Sequence, residues 1–122
     1  MSLCLLAAGK TAVFSATVFS LAWTHSVERT RWEEVWHVDQ DGLRIVEARI
    51  RGSGAGMEPP EGAVLRDGWW IFTPKVPMQK KLVLAASGAT SGGWTFCADD
   101  MCRSIGASAS EPLIIKVCKE PS

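Results

Sequence analysis

The sequence lacks net charge, long hydrophobic runs and helical periodicity, and each absence excludes a class of protein. Thirteen lysine and arginine residues balance thirteen aspartate and glutamate residues, so there is no basic field to attract nucleic acid. No run approaches the roughly 20 apolar residues that a membrane-spanning helix needs. No segment longer than about ten residues repeats its apolar positions at helical spacing. We therefore expect neither a nucleic-acid partner nor a membrane span, and little helix.

Recognisable catalytic motifs are also missing. The chain has no strand-turn-helix serine motif of the hydrolase type and no paired-histidine zinc motif. We expect no metal and no cofactor. The sequence does not specify a reaction, and it favours a protein that binds over one that catalyses.

What the sequence does have is short alternating segments separated by turn signals. Hydrophobic residues make up 47% and charged residues 21% of 122 residues, the composition and length of one globular domain. Asp67-Gly68 between two β-prone runs is a strong hairpin signal, and Gly42 closes a second hairpin. The pattern predicts one all-β domain over residues 1–122. We expect a small sandwich or partly open barrel of about eight to ten short, mostly antiparallel strands.

The segment from Trp23 to Trp36, WTHSVERTRWEEVW, is the densest in tryptophan and charge. Alternation places Phe19, Leu21, Trp23 and His25 on one face of a first strand, and Trp32, Glu34, Trp36 and Val38 on one face of a second. His25 then ends an apolar face close to Glu28 and Arg31. A histidine beside carboxylates can serve as acid, base or ligand, or it can simply anchor the turn.

The strand from Leu43 to Arg51 and the glycines after it form the second notable stretch. Alternation puts Leu43 and Ile45 on the same face as Glu47, Arg49 and Arg51, so we expect this strand to leave the core toward solvent or a site. The loop Gly52 to Gly56 precedes paired prolines, which argues against a helix behind it. A bulged loop is favoured over an anion-binding loop.

The four cysteines leave several alternatives open. Cys97 and Cys102 lie across a predicted hairpin, where a disulfide is geometrically plausible, and reduced thiols throughout or a metal site are the alternatives. Cys4 and Cys118 stand apart in apolar strands, and we expect both to be buried free thiols.

The amino-terminal run allows two interpretations, a signal peptide or a strand. Ala12 to Trp23 resembles a signal peptide with a small-residue cleavage pattern, but it also alternates like a strand. We expect a mature, soluble chain from Met1, with a cytoplasmic location slightly favoured and the periplasm as the alternative.

Three groups of residues together resemble a known family: Thr24-His25-Ser26-Val27-Glu28, Trp32-Glu33-Glu34 and Gly54-Ala55-Gly56. They are similar to the bacterial domain-of-unknown-function family numbered 1850, over about Phe19 to Ile105. The family has no established activity. Its members are often encoded beside tripartite, solute-receptor-dependent carboxylate transporters, so the resemblance implies a transport accessory. Longer members carry an amino-terminal membrane anchor, which we do not expect in this chain.

Two classes of function follow. The first is a non-enzymatic accessory or binding module for a small polar ligand or a partner, the partner being a transporter component or its solute receptor. The second is a hydrolase-like enzyme with His25 as general base and Glu28 or Glu34 as the orienting carboxylate. The candidate binding residues are His25, Glu28, Arg31, Trp32, Glu34, Gly54 and Gly56.

Overall fold

A computed structural model describes residues 2–7, 9–24, 30–51, 61–85, 91–106 and 112–118, and within these ranges the chain forms eleven strands and no helix. The strands are β1 (Ser2–Ala7), β2 (Lys10–Phe14), β3 (Val18–Thr24), β4 (Arg31–Asp39), β5 (Gly42–Arg51), β6 (Val64–Arg66), β7 (Trp69–Phe72), β8 (Lys81–Leu84), β9 (Ser91–Ala98), β10 (Met101–Ile105) and β11 (Leu113–Cys118). The all-β prediction is confirmed, with one strand more than the upper end of the expected range.

The strands form two antiparallel sheets that are not joined into a closed barrel. The small sheet has four strands in the order β2-β1-β11-β8, and the large sheet has seven in the order β10-β9-β3-β4-β5-β7-β6. The first and last strands are direct neighbours at the centre of the small sheet. Of the two predicted architectures, the structure is therefore the sandwich.

One core fills the space between the sheets. The largest fully buried side chains come from both layers: Phe19, Leu21, Leu43 and Phe96 from the large sheet, and Leu3 and Ile115 from the small one. Phe96 contacts two further rings, with centroid separations of 5.2 Å to Phe14 and 5.7 Å to Phe19. Burial of these apolar side chains is the main force that holds the layers together.

The two hairpins predicted from turn chemistry are present, and one of them is also hydrogen-bonded to the segment that leads into β8. Asp67 and Gly68 both have positive φ, 52° and 85°, as a tight two-residue hairpin turn requires. At the other hairpin, Leu43 exchanges two backbone hydrogen bonds with Gln79, of 2.7 and 2.8 Å. A Cβ on Gly42 would lie 2.5 Å from the Gln79 carbonyl oxygen, so this position needs glycine for the close approach of the backbone.

The predicted faces of β5 are wrong beyond its midpoint because the strand contains a bulge. Trp36 pairs with Ile45, but the neighbouring Val35 pairs with Glu47, which leaves Val46 as an extra residue. A bulge resets the alternation of side chains. Ile45 and Ala48 consequently face the core together, and β5 stays in the core along its whole length while its later charged residues face outward.

The prediction of free thiols at Cys4 and Cys118 is also wrong. These cysteines form a disulfide, with Cα atoms 5.8 Å apart, because β1 and β11 are adjacent and bring the chain ends together. Cys97 and Cys102 form a second disulfide, as the hairpin geometry suggested, and their Cα atoms are 4.1 Å apart across directly paired strand positions. All four cysteines are therefore oxidised.

The run from Ala12 to Trp23, which resembles a signal peptide in sequence, forms parts of β2 and β3 in the folded domain. Among the residues that the structure describes, no helix is long and apolar enough to cross a membrane.

Candidate functional site

A continuous row of side chains crosses the inner face of the large sheet near one end of the sandwich. Directly paired residues of antiparallel strands share a face, so the register defines this row. In order across the strands it contains Ile105, Trp94, Trp23, Trp32, Ile50, Trp70 and Leu65. Four of the six tryptophans of the chain are in it. We call Trp94, Trp23, Trp32 and Trp70 the tryptophan row.

The tryptophan row is only half-buried, although the inner face is the core face of the sheet. Trp23 and Trp32 stack nearly parallel, with ring centroids 6.0 Å apart. Trp94 packs closely over Gly106, whose φ is +68° and where a Cβ would lie 2.7 Å from the indole. The row is an aromatic wall, of which Trp23 and Trp94 pack against the core. Aromatic side chains are common in ligand-binding sites.

Glu34 is an acidic residue among these apolar groups. It lies on β4 between Trp32 and Trp36, and its cross-strand neighbours on the same face are the fully buried Leu21 and Ala48. Burial raises the pKa of the Glu34 carboxyl above its ordinary 4.5, and a 3.1 Å hydrogen bond from Nε1 of Trp36 to Oε1 opposes the rise. Because Trp36 reaches one carboxyl oxygen, the other remains for a further contact.

The second polar group on this part of the face is the indole N–H of Trp32. Its Nε1 atom is buried, yet no acceptor reaches it in the part of the chain that the structure describes. Native proteins leave few buried donors unpaired, because each costs about 1–3 kcal/mol. Trp32 therefore presents an unused donor two residues from the carboxyl of Glu34.

The structure describes three of the seven candidate binding residues predicted from the sequence, namely Arg31, Trp32 and Glu34. Trp32 and Glu34 share the inner face, as predicted, whereas Arg31 alternates to the outer face, opposite Thr24. His25, Glu28, Gly54 and Gly56 lie outside the described residues. The predicted contact between His25 and the glycine loop depends on these residues, and so does the hydrolase hypothesis, so both stay predictions.

Several residues of this region were not predicted from the sequence to lie together. Trp23 and Trp94 become neighbours only through the pairing of β3 with β9, strands far apart in the chain. Trp36 was placed on the correct face, but its hydrogen bond to Glu34 depends on side-chain geometry. The tryptophans at alternating positions indicated an aromatic face. They did not indicate which strands pair, or in which register.

Within the described ranges, no three side chains of histidine, cysteine, aspartate or glutamate come together to hold a metal ion. What the inner face offers instead is an aromatic wall, one unused donor and one carboxyl. Such an arrangement can bind and orient a small molecule.

Comparison with known proteins identifies a family. No curated protein and no solved structure matches the chain. A family model described as "Domain of unknown function (DUF1850)" matches residues 19–105, which include both strands that carry Trp32, Glu34 and Trp23. Because the match covers well over half of the chain and agrees with the motifs noted in the sequence, this protein belongs to the DUF1850 family.

Proposed function

We propose that this domain is a non-enzymatic binding module whose ligand contacts Trp32 and Glu34 on the inner face of the large sheet. The observation that carries the proposal is the buried Nε1–H of Trp32, which lacks an acceptor in the described part of the chain. A ligand oxygen that accepts this hydrogen bond would recover the free energy that the unpaired donor costs.

The two polar groups constrain the chemistry of the ligand. A carboxylate ligand would be repelled by Glu34 once that residue ionises, and burial already disfavours charge there. An ammonium group would suit the carboxyl but has no acceptor for Trp32. A hydroxyl group can donate to Glu34 and accept from Trp32. The proposed ligand is a small, neutral, hydroxyl-bearing molecule with an apolar face that packs on the tryptophan row.

Titration of a panel of small cyclic and linear hydroxyl compounds tests this function. A compound that binds should raise the melting temperature of the wild-type domain. Trp32→Phe, which keeps a ring but removes the donor, should weaken binding about tenfold, the equivalent of one hydrogen bond. Trp69→Phe is the matched control, since Trp69 lies on the outer face. Hits that bind Trp32→Phe and wild type equally would contradict the proposal.

We propose further that the domain acts as an accessory of a tripartite carboxylate transporter. The support for this step is the family resemblance. Because the inner-face site disfavours carboxylates, the contact in this proposal is with the solute receptor or a membrane component, not with the transported acid. Binding of the purified domain to a receptor encoded beside it, measured with and without a carboxylate, tests the link. Failure of the receptor and the domain to associate under either condition would rule out this link.

The two disulfides bear on where the domain works. Stable disulfides form in oxidising compartments and are rare in the cytoplasm. We propose an extracytoplasmic location, in place of the cytoplasmic one that the sequence slightly favoured. Thiol alkylation of the protein in intact cells tests it: all four cysteines should resist the reagent until the disulfides are reduced.

A further inference from the structure

The outer face of the large sheet carries a cleft of about 310 Å³ over β5, β7 and β6. Its apolar floor is formed by Val64, Trp69 and Ile71, and its charged lining residues are Glu47, Arg49, Arg66 and Asp67. The volume is at the lower end of the roughly 300–1,000 Å³ typical of small-molecule sites. The cleft lies on the opposite side of the sheet from Trp32 and Glu34, so it is independent of the proposed function.

Arginine side chains line one row of this outer face. Trp69 pairs directly with Arg51 on β5 and with Arg66 on β6, so an arginine flanks Trp69 on each neighbouring strand. The Arg51 guanidinium lies over the ring, 5.5 Å from its centroid. Trp32 pairs with Ile50, so the antiparallel register carries Arg31 of β4 to the position beside Arg51. We call Arg31, Arg51 and Arg66 the arginine row.

The arginine row differs from the other arginines of β5 in its ion pairing among the described residues. Elsewhere on β5, each arginine is paired: Arg44 with Asp39 at 2.7 Å and Arg49 with Glu47 at 2.6 Å. None of the three arginines of the row forms an ion pair with a described residue. The chain is neutral overall, so three arginines in one row concentrate positive charge locally. Of the two carboxylates in the cleft, Glu47 is already paired with Arg49 and only Asp67 opposes this charge. Three neighbouring guanidiniums repel one another unless an anion lies between them.

We propose that this cleft binds a small organic anion whose acid group lies between Arg66, which lines the cleft, and Arg51, which borders it beside Trp69. The apolar part of the anion then packs on Trp69 and Ile71. Guanidinium groups match the planar, two-oxygen edge of a carboxylate or a phosphate and form charge-assisted hydrogen bonds to it. The indole that separates the two arginines supplies an apolar surface for the rest of the molecule.

Two carboxylates line the cleft, and Asp67 is the one that is not paired with a described arginine, since Glu47 is paired with Arg49. Asp67 borders the cleft and occupies the hairpin turn with φ of +52°, a conformation that asparagine also accepts. Asp67→Asn removes the repulsion of the anion and keeps the turn. The proposal therefore predicts that this variant binds the anion about twofold more tightly, by the modest amount expected of a screened surface charge.

The experiment uses four probes that separate the acid from the apolar part: benzoate, phenyl phosphate, benzamide and inorganic phosphate. Binding is followed in ¹H–¹⁵N spectra by the indole resonance of Trp69, assigned from its loss in Trp69→Phe. Benzoate or phenyl phosphate should shift this resonance saturably, the tighter of the two identifying the preferred acid. Benzamide should leave it in place, and inorganic phosphate should bind more weakly than phenyl phosphate.

Variants locate the anion. Arg51→Gln and Arg66→Gln should each weaken binding of the preferred acid about fivefold, through loss of one charge-assisted contact. Arg44→Gln is the matched control, because Arg44 is an exposed arginine of the same strand that is already paired with Asp39. Benzamide binding as tightly as benzoate would overturn the proposal. So would unchanged affinity in both arginine variants, or no shift of Trp69 with either acid at tens of millimolar.

Discussion

The Nε1–H of Trp36 donates a 3.1 Å hydrogen bond to Oε1 of Glu34, two residues earlier on the same strand. Trp32, two residues before Glu34 and on the same face, has a buried Nε1–H with no acceptor in the described part of the chain. One strand thus presents two indoles around one carboxyl, and only one of them is hydrogen-bonded. This difference between Trp36 and Trp32 is what suggests a ligand.

The two tryptophans should respond differently to the same substitution. Trp36→Phe removes a buried ring edge and the hydrogen bond to Glu34, and we expect a loss of about 2–4 kcal/mol in the free energy of unfolding. Trp32→Phe removes an unpaired donor from a half-buried side chain and should cost less than half as much. Urea denaturation of both variants measures the difference. A Trp32→Phe variant as unstable as Trp36→Phe would mean that the Trp32 N–H is already satisfied.

The raised pKa of Glu34 makes the stability of the domain depend on pH. Since the folded state holds this proton more tightly than the unfolded state, the stabilising contribution is complete below the ordinary value of 4.5 and is lost as pH rises through the higher folded pKa. Glu34→Gln cannot ionise and keeps an oxygen for Trp36. We expect the melting temperature of Glu34→Gln to rise relative to that of the wild type as the pH increases from about 4 to 7.

A matched control for that experiment is Glu47→Gln on the outer face, where Glu47 is paired with Arg49. This variant should show no such gain. A constant difference between Glu34→Gln and wild type at every pH, or one that shrinks as pH rises, would contradict a buried carboxyl at position 34.

The two disulfides should differ in how much they stabilise the fold. Cys4–Cys118 closes a loop with a sequence separation of 114, whereas Cys97–Cys102 closes one of 5. In the chain-entropy account, these correspond to roughly 4–5 and roughly 2 kcal/mol. We expect Cys4→Ser with Cys118→Ser to lower the denaturation midpoint much more than Cys97→Ser with Cys102→Ser. The opposite order, or titratable thiols in the unreduced wild type, would count against the disulfide pairing.

Gly42→Ala tests the close contact between the β4–β5 turn and the backbone of Gln79. The added methyl would meet the rigid backbone carbonyl of Gln79, so we expect a loss of about 1–3 kcal/mol from overpacking. Gly62 has positive φ but open space around its Cβ position, and Gly62→Ala should cost only about 1 kcal/mol of backbone strain. Thermal denaturation of the two variants should separate them, and equal losses would show that Gln79 yields to the methyl group.

Much of the fold could be predicted from local patterns. Alternation in β3 and β4 assigned Phe19, Leu21, Trp32 and Glu34 to their faces, because side chains of a regular strand must alternate. The Asp67-Gly68 turn followed from the need for positive φ. In these segments the residues themselves determine the conformation.

Features that depend on distant parts of the chain were not predictable in this way. The bulge at Val46 arises from how β5 meets β4, and alternation alone continued through it to the wrong faces. Cys4 and Cys118 looked isolated because nothing near either one in sequence shows that the ends of the chain pair.

The two candidate sites also depend on distant parts of the chain and were not predictable from local patterns. The pairing of Trp23 with Trp94 and the position of Arg51 beside Trp69 are products of strand order in the large sheet. The sequence contained the tryptophans and arginines of both sites but not their arrangement.

The most direct test of the proposed function is the indole region of a ¹H–¹⁵N spectrum, recorded while the panel of neutral hydroxyl compounds is titrated into the domain. Each of the six indole resonances is assigned from a Trp→Phe variant. We expect the Trp32 resonance to start at the position of an unbonded N–H and to move toward that of a hydrogen-bonded one as a ligand binds. We also expect Glu34→Gln to weaken binding of this ligand. A Trp32 resonance that is hydrogen-bonded from the start, or that stays fixed while binding shifts other indoles, would contradict the proposed function.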